Sequence, residues 1–489
     1  MCKKLSSIFL LAIAFQCLLH SQALTREDAI RLARERSVSA LEAKSSFVSS
    51  YWAWRSYKAS RLPSLYLYGE VGSFDRSLRL LQNYETGEMV YVENYNMQNS
   101  IGLKARQNIT LTGGTLSLYS DLTRIDQFGT SGKTWYAQPF TLSYSQPIFG
   151  YNQFRWDKLI SPKEYEKAKK VYIESMEQVT INAVDRYFAL MLAQMNYDSA
   201  RSNYSNTSRM LSIASQRLSI GSVTREEYLQ LELSAINDSI SINEKYVALR
   251  EAQMQLCSLL GYDEKSSPQP IMDDALPDIV IDYDFVREKA GRNSSFDLDN
   301  EINILNAESA VAKAKADRGI TMQLNARFGL SNSAEDFKHT YQGLLDQEVV
   351  GLSFSIPIFD WGEGKGKVKK AEAAADVVRA QVRQAENDYE ISLFTAVGQF
   401  NNQRQQCGAS SRARAIAQER YSLVMDKFSR GNASVTDLNT ARSENDAALQ
   451  KYVNDISNYW KYYYTLRQLT LYDFISGRDL DVSYDELLE

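Results

Sequence analysis

The segment LSYSQPIFGYN around Pro147 returns as LSFSIPIFDWG around Pro357, 210 residues later. The same offset lays RLSIGSVTREEY, around Gly221, on FSRGNASVTDLN, around Gly431. Two long blocks therefore share one plan, and any fold for this chain must be built twice over. Nearer the N-terminus, Lys58-Ala59-Ser60-Arg61 matches Lys315-Ala316-Asp317-Arg318 at an offset of 257, so the first copy carries 47 extra residues. Residues 24–270 read as the first structural repeat and 271–489 as the second, joined by a linker containing Pro268, Pro270 and Pro277, with the two repeats intertwined as one unit.

Lys3 and Lys4, an apolar run from Ile8 to Leu19, and the small-x-small Ser21-Gln22-Ala23 form a signal-peptide pattern over residues 1–23. That run is too short for a spanning helix, which needs ~20 apolar residues, so an exported chain starting at Leu24 is expected. Ala14-Phe15-Gln16 makes a poor lipobox before Cys17. Removing the leader takes the formal net charge from −5 to −7, and no basic stripe remains to attract nucleic acid. Only Cys257 and Cys407 survive cleavage. Two cysteines make no disulfide framework; they read as buried small apolar residues, with a single bond as the alternative. His339 is the one histidine of the mature chain. With no Cys/His metal spacing, no Gly-rich phosphate loop and no nucleophile elbow, the sequence offers no enzyme, cofactor or metal site.

Six segments alternate apolar and polar residues with period two, which gives one greasy and one wet face. They run through Leu65–Val71, Ile101–Leu111, Leu116–Leu122 and Phe140–Tyr144 in the first copy, and through Met322–Phe328 and Leu352–Ile356 in the second. An ordinary sheet packed on a core shows the same pattern. In an exported chain without a membrane helix, strands of this length fit a transmembrane wall instead, where ~10 residues span the bilayer. Aromatics at expected strand ends, Trp135, Tyr136, Phe149, Tyr151, Phe154, Trp156, Phe359 and Trp361, suit interfacial girdles. Long connections over 73–99, 124–133 and 331–347 against one tight turn, Thr112-Gly113-Gly114, suit long outer loops and short inner turns. The extra residues hold the hairpin 100–125, so each chain supplies either four strands plus a peripheral hairpin or six strands. Neither number closes a barrel, for which about 8 strands are the minimum, so the wall must be shared between copies of the chain.

After each Pro-Ile-Phe the pattern becomes helical, from about Pro162 to Ile220 and from about Lys365 to Arg430. A helix of that length, at ~1.5 Å per residue, is far longer than a compact core can use. Each stops at a glycine, Gly221 or Gly431, and a capping sequence, Thr224 to Glu227 or Ser434 to Asp437, starts a returning helix. A shorter helix pair, 25–61 or 282–318, precedes each strand set.

The chain resembles the TolC family of outer-membrane channel tunnels. The resemblance is carried by Leu24-Thr25 with Ala29, Leu32 and Ala33, by Arg61-Leu62-Pro63, by Gly351 to Phe359, and by Phe428-Ser429-Arg430-Gly431 followed by Ser434, Asp437 and Leu438. It implies a mainly α fold with membrane β: a homotrimer whose shared barrel in the outer membrane, bathed in outer-membrane lipid, continues as a helical tunnel across the periplasm. It implies partners as well, a periplasmic adaptor and an inner-membrane pump that open the closed tip. In that family an acidic residue six positions after the tip glycine lines the constriction; here that residue is Glu227 or Asp437. A further acidic position is Thr440, and the basic residue two after the second glycine is Ala433, with Arg430 nearby as a substitute. Phe428 keeps the aromatic before that glycine. On this basis Glu226, Glu227, Asp437, Phe428 and Arg430 are the expected constriction residues, and Gly221, Gly431, Thr224 and Ser434 the adaptor-contacting tips. The carboxylates have a simpler role open to them, as helix caps, and the two roles are compatible. Phe428 and Ile220 suit packing between hairpins. A passive duct for efflux or type I secretion is the expected function; the rival is a non-conducting coiled-coil spacer with a barrel anchor.

Overall fold

The computed structural model describes residues 23–82, 86–129, 132–263, 266–272 and 275–488. The expected leader, with Cys2 and Cys17, lies outside them except for Ala23. In chain order the elements are β1 (Ala23–Leu24), α1 (Arg26–Arg36), α2 (Val38–Ser60), β2 (Ser64–Gln82), β3 (Met89–Ile109), β4 (Gly114–Gln127), β5 (Lys133–Pro147), α3 (Gln153–Ser219), α4 (Arg225–Leu260), β6 (Gln269–Pro270), α5 (Tyr283–Asn293), α6 (Phe296–Arg318), β7 (Thr321–Ala334), β8 (Leu345–Ser355), α7 (Glu363–Arg430) and α8 (Val435–Thr470). The order of two helices, strands, long helix and returning helix thus occurs twice. Two compact units form, and each takes segments from both halves of the chain.

One unit comprises residues 50–167 and 298–384. It holds a six-stranded antiparallel sheet in the order β2-β3-β4-β5-β7-β8. The hairpin 100–125 is therefore part of the sheet, because β3 pairs with β2 on one side and with β4 on the other. Register carries the period-two pattern across all six strands. Leu67 faces Leu103, Ala105 faces Leu118, Leu118 faces Leu142, Leu142 faces Phe328, and Ala326 faces Val350. The opposite face carries Arg106, Ser117, Ser143 and Arg327 in one cross-strand row. Gly113 takes φ 79° in the tight turn, a conformation that glycine adopts without a Cβ penalty.

Two expectations fail here. The connection expected over 73–99 is mostly ladder: Ser73 to Gln82 pairs with Met89 to Gln98, so β2 and β3 reach 19 and 21 residues. Backbone pairing continues past the point where apolar alternation stops, for example at the adjacent Leu80 and Leu81. Phe154 and Trp156 sit in the first turn of α3 and not at a strand end, and that helix begins at Gln153, with Pro162 inside it. Asn152 supplies the start, accepting from the Arg155 amide at 3.2 Å.

The other unit comprises residues 23–49, 168–297 and 385–488 of the described chain. Its fully buried centre includes Tyr187, Phe400, Ile456, Tyr459 and Tyr463. The Tyr187 hydroxyl donates to the Leu24 carbonyl at 3.1 Å, which pins the β1 and β6 pair onto α3. Glu177, buried on α3, accepts from Arg34 and from Arg467, each at 3.1 Å. Cys257 and Cys407 are free and buried, and burial pushes the Cys407 thiol up to about 11. No helix among the described residues is long and apolar enough to cross a membrane, which leaves the β-sheet untouched as a membrane element.

Candidate functional site

The long helices set the geometry of the tips. α3 has 67 residues and α7 has 68, each roughly 100 Å of helix. Ala, Glu, Lys, Arg and Gln are frequent in both, most of all in α7, and such residues lose little rotamer freedom in a helix. Both helices end where a glycine turns left-handed, Gly221 at φ 72° and Gly431 at φ 87°. The returning helices α4 and α8 start in full capping boxes. The Thr224 hydroxyl accepts from the Glu227 amide at 3.2 Å, while the Glu227 carboxylate accepts from the Thr224 amide at 3.0 Å. Ser434 and Asp437 repeat the exchange at 3.1 Å in both directions. The Ser434 side chain and then its backbone amide hold the Asp437 carboxyl below the usual carboxylate range. Both expected constriction carboxylates are thus caps within a single chain; Asp437 and Glu226 are exposed to solvent, and Glu227 is half-buried.

Phe428 does not face solvent. At 7% exposure it packs with Met210, Ala214, Leu231, Val435 and Leu438, joining the four helix ends in one apolar cluster. Ile220, expected to pack between hairpins, is 77% exposed within the chain, because it sits at the outer edge of the tip turn. Arg430 makes a surface ion pair with Asp426 one turn earlier on its own helix.

Several residues of the tip escape a reading of sequence alone. Arg217, in the last turn of α3, donates to the Ser429 carbonyl at 2.6 Å and to the Phe428 carbonyl at 3.4 Å. A cation thus satisfies the Ser429 carbonyl and shares the Phe428 carbonyl with the Gly431 amide at the C-terminus of α7, where the helix dipole favours positive charge. Higher up, Asp238 of α4 is buried between Thr207 of α3 and Arg442 of α8. The Thr207 hydroxyl donates to it at 2.6 Å and the Arg442 guanidinium at 2.9 and 3.2 Å. Asp446 of α8 accepts from Ser199 at 2.6 Å and Asn203 at 2.9 Å, both on α3. Charged and polar side chains therefore bind both hairpins of one chain together over several turns. Among the described residues no group of three or more His, Cys, Asp or Glu is placed to hold a metal.

Six in-register strands joined to helices of this length form a fold that recurs in outer-membrane channels of known structure. The family model of the outer membrane efflux proteins matches residues 297–470, and the resemblance to the TolC family extends through the whole fold. The Campylobacter jejuni CmeC outer membrane channel is similar over 94% of this chain and 88% of its own, at 16% identity and a TM-score of 0.65. A membrane protein from Pseudomonas aeruginosa is similar over 94% and 92%, at 14% identity and a TM-score of 0.66. The outer membrane protein VceC from Vibrio cholerae covers 91% and 95%, at 14% identity and a TM-score of 0.62. No curated protein matches the chain by sequence.

Proposed function

We propose that this chain is the protomer of a trimeric outer-membrane exit duct, with a shared barrel in the membrane and helical hairpins reaching into the periplasm. The tips are opened by a docked adaptor acting with an inner-membrane pump. The observation that carries this reading is the apolar face that runs in register across a six-stranded sheet with two unpaired edges, β2 and β8. Open edges cannot face lipid, where every backbone group must be paired. Three copies would supply about 18 strands, enough for a wall around an aqueous lumen, and the row with Arg106, Ser117, Ser143 and Arg327 would line it. Glu226, Glu227 and Asp437 of three chains would gather at the tips, with Thr224, Ser434, Gly221 and Gly431 meeting the adaptor. Drugs, metal ions and secreted polypeptides are all cargo for such a duct, because the pump selects the substrate.

Mass in detergent and conductance in planar bilayers test this together. A conducting trimer is expected. A monomer that inserts and conducts would refute the shared wall, and a trimer that inserts without conducting would favour the spacer.

A further inference from the structure

Where the strands meet the long helices, cations surround a cavity of about 500 Å³. The end of α6 brings Lys315 and Arg318, and the first turns of α7 bring Lys365 and Lys369, while Glu372 is the one carboxylate in the lining. Glu372 is shared between Lys315 at 3.2 Å and Lys369 at 3.1 Å, so four positive charges face one negative charge. Lys365 forms no hydrogen bond or ion pair among the described residues. The neighbouring carboxylate Asp360 is turned to backbone, accepting from Gly362 at 2.9 Å and Gly364 at 2.7 Å. Those first-turn amides are therefore already satisfied, and an anion entering the cavity would be held by side chains.

The chemistry of the rim decides which anion. Ile358, Phe359 and Trp361 project into solvent in the loop between β8 and α7, shortly before Lys365 in the chain, and Ile320 does so between α6 and β7, just after Arg318. Aromatic and aliphatic side chains next to Lys and Arg are the composition of a headgroup-level anchor, whereas a free anion gives no reason for exposed apolar side chains. The first copy writes three of these four cations at the repeat offsets: Lys58 and Arg61 stand 257 before Lys315 and Arg318, and Arg155 stands 210 before Lys365, while Leu159 stands 210 before Lys369.

We propose that this cavity binds the phosphate of an anionic phospholipid in the leaflet on the helix side of the membrane, with the exposed aromatics beside its glycerol and upper acyl region. The proposal rests on the duct reading for the membrane itself. Lysines act here as point charges on a phosphate, and a cavity of this size accepts a headgroup.

The test is native mass spectrometry of the full-length protein, stripped of lipid in a non-ionic detergent and titrated with phosphatidylglycerol, phosphatidylcholine or inorganic phosphate. Saturable binding of phosphatidylglycerol, tighter than that of phosphatidylcholine, is expected. The triple variant Lys315→Gln, Arg318→Gln, Lys365→Gln should weaken it about tenfold or more. Glu372→Gln, which frees two lysines, should tighten it, and this variant decides the matter alone if the triple variant does not assemble. Unchanged binding in either variant overturns the proposal. Inorganic phosphate that displaces the lipid at equal concentration assigns the site to a free anion and overturns it too. Bilayer conductance of the same preparation separates the two readings: a conducting protein that binds no phosphatidylglycerol refutes this site alone, and a non-conducting one that binds it refutes the duct alone.

Discussion

The Asp238–Arg442 pair offers the sharpest measurement on the tip. Its side chains are 11% and 23% exposed, and Thr207 completes the carboxylate's hydrogen bonds from a third helix. Asp238→Leu leaves a half-desolvated guanidinium and a hydroxyl without their acceptor. Breaking a buried pair in this way costs ~3–5 kcal/mol when neither partner can reach water. Arg442 retains some access to water and can turn outward, so about 2–3 kcal/mol is expected, in the range of charged hydrogen bonds. That is a rise of roughly 30- to 150-fold in the population of locally opened tip, since 1.4 kcal/mol is a factor of ten. Limited trypsin digestion reads this population when opening and closing are fast relative to cleavage, and Arg217, Arg225, Lys427 and Arg430 supply the cleavage sites. Arg442→Met should cost a similar amount, because it leaves the carboxylate with Thr207 alone. The double variant replaces both partners with apolar groups of similar bulk and should recover most of the loss. If the double variant loses the sum of the two single losses, the pair is not coupled and the tie between α4 and α8 lies elsewhere.

Three further outcomes are expected. Neutralising the tip with Glu226→Gln, Glu227→Gln and Asp437→Asn should lower cation selectivity and multivalent-cation block in planar bilayers, since gathered like charges attract cations; unchanged selectivity with a marked fall in melting temperature would leave these carboxylates as caps only. Cysteines placed at Leu103 and Leu116, which lie on the apolar face of the sheet, should be shielded from aqueous maleimide in reconstituted protein, and full labelling at both would take β3 and β4 out of the membrane wall. Ser434→Ala should lower the melting temperature more near neutral pH than at about pH 3. The folded-state pKa of Asp437 is depressed by Ser434, so its contribution is present above the ordinary carboxylate pKa and is lost as pH falls through the folded value. An equal deficit at both pH values would assign the whole effect to the hydroxyl's bond with the Asp437 amide.

Much of the fold is legible because its signals are local or repeated. The period-two alternation marks all six strands, since one face of each is apolar along its central stretch. It failed beyond Ser73, where β2 and β3 continue as a ribbon held by backbone pairing, which carries no side-chain pattern. Phe154 and Trp156 misled for a related reason: an aromatic marks an interface whether it stands on a strand or on the first turn of a helix. Asn152, whose side chain accepts the Arg155 amide, was the available sign that the helix had already begun.

At the tips the division is sharper still. Both capping boxes join residues three positions apart, so the sequence contains the complete interaction. The ties between hairpins join residues more than 200 positions apart, such as Arg217 with Ser429 and Asp238 with Arg442. The internal repeat gives no help with them, because Lys427 stands 210 after Arg217, Ala448 stands 210 after Asp238 and Glu232 stands 210 before Arg442. The two halves kept a common plan while the contacts between them became unlike, since each tie is written once and not mirrored at the repeat-related positions. This asymmetry constrains any opening of the tip. A movement that parts the two hairpins of one chain has to break the Arg217 cap, split the Phe428 cluster and take Arg442 away from Asp238. In the proposed trimer, a movement that separates neighbouring chains leaves all three in place, so the intrachain ties favour opening with each chain's two hairpins moving as one body.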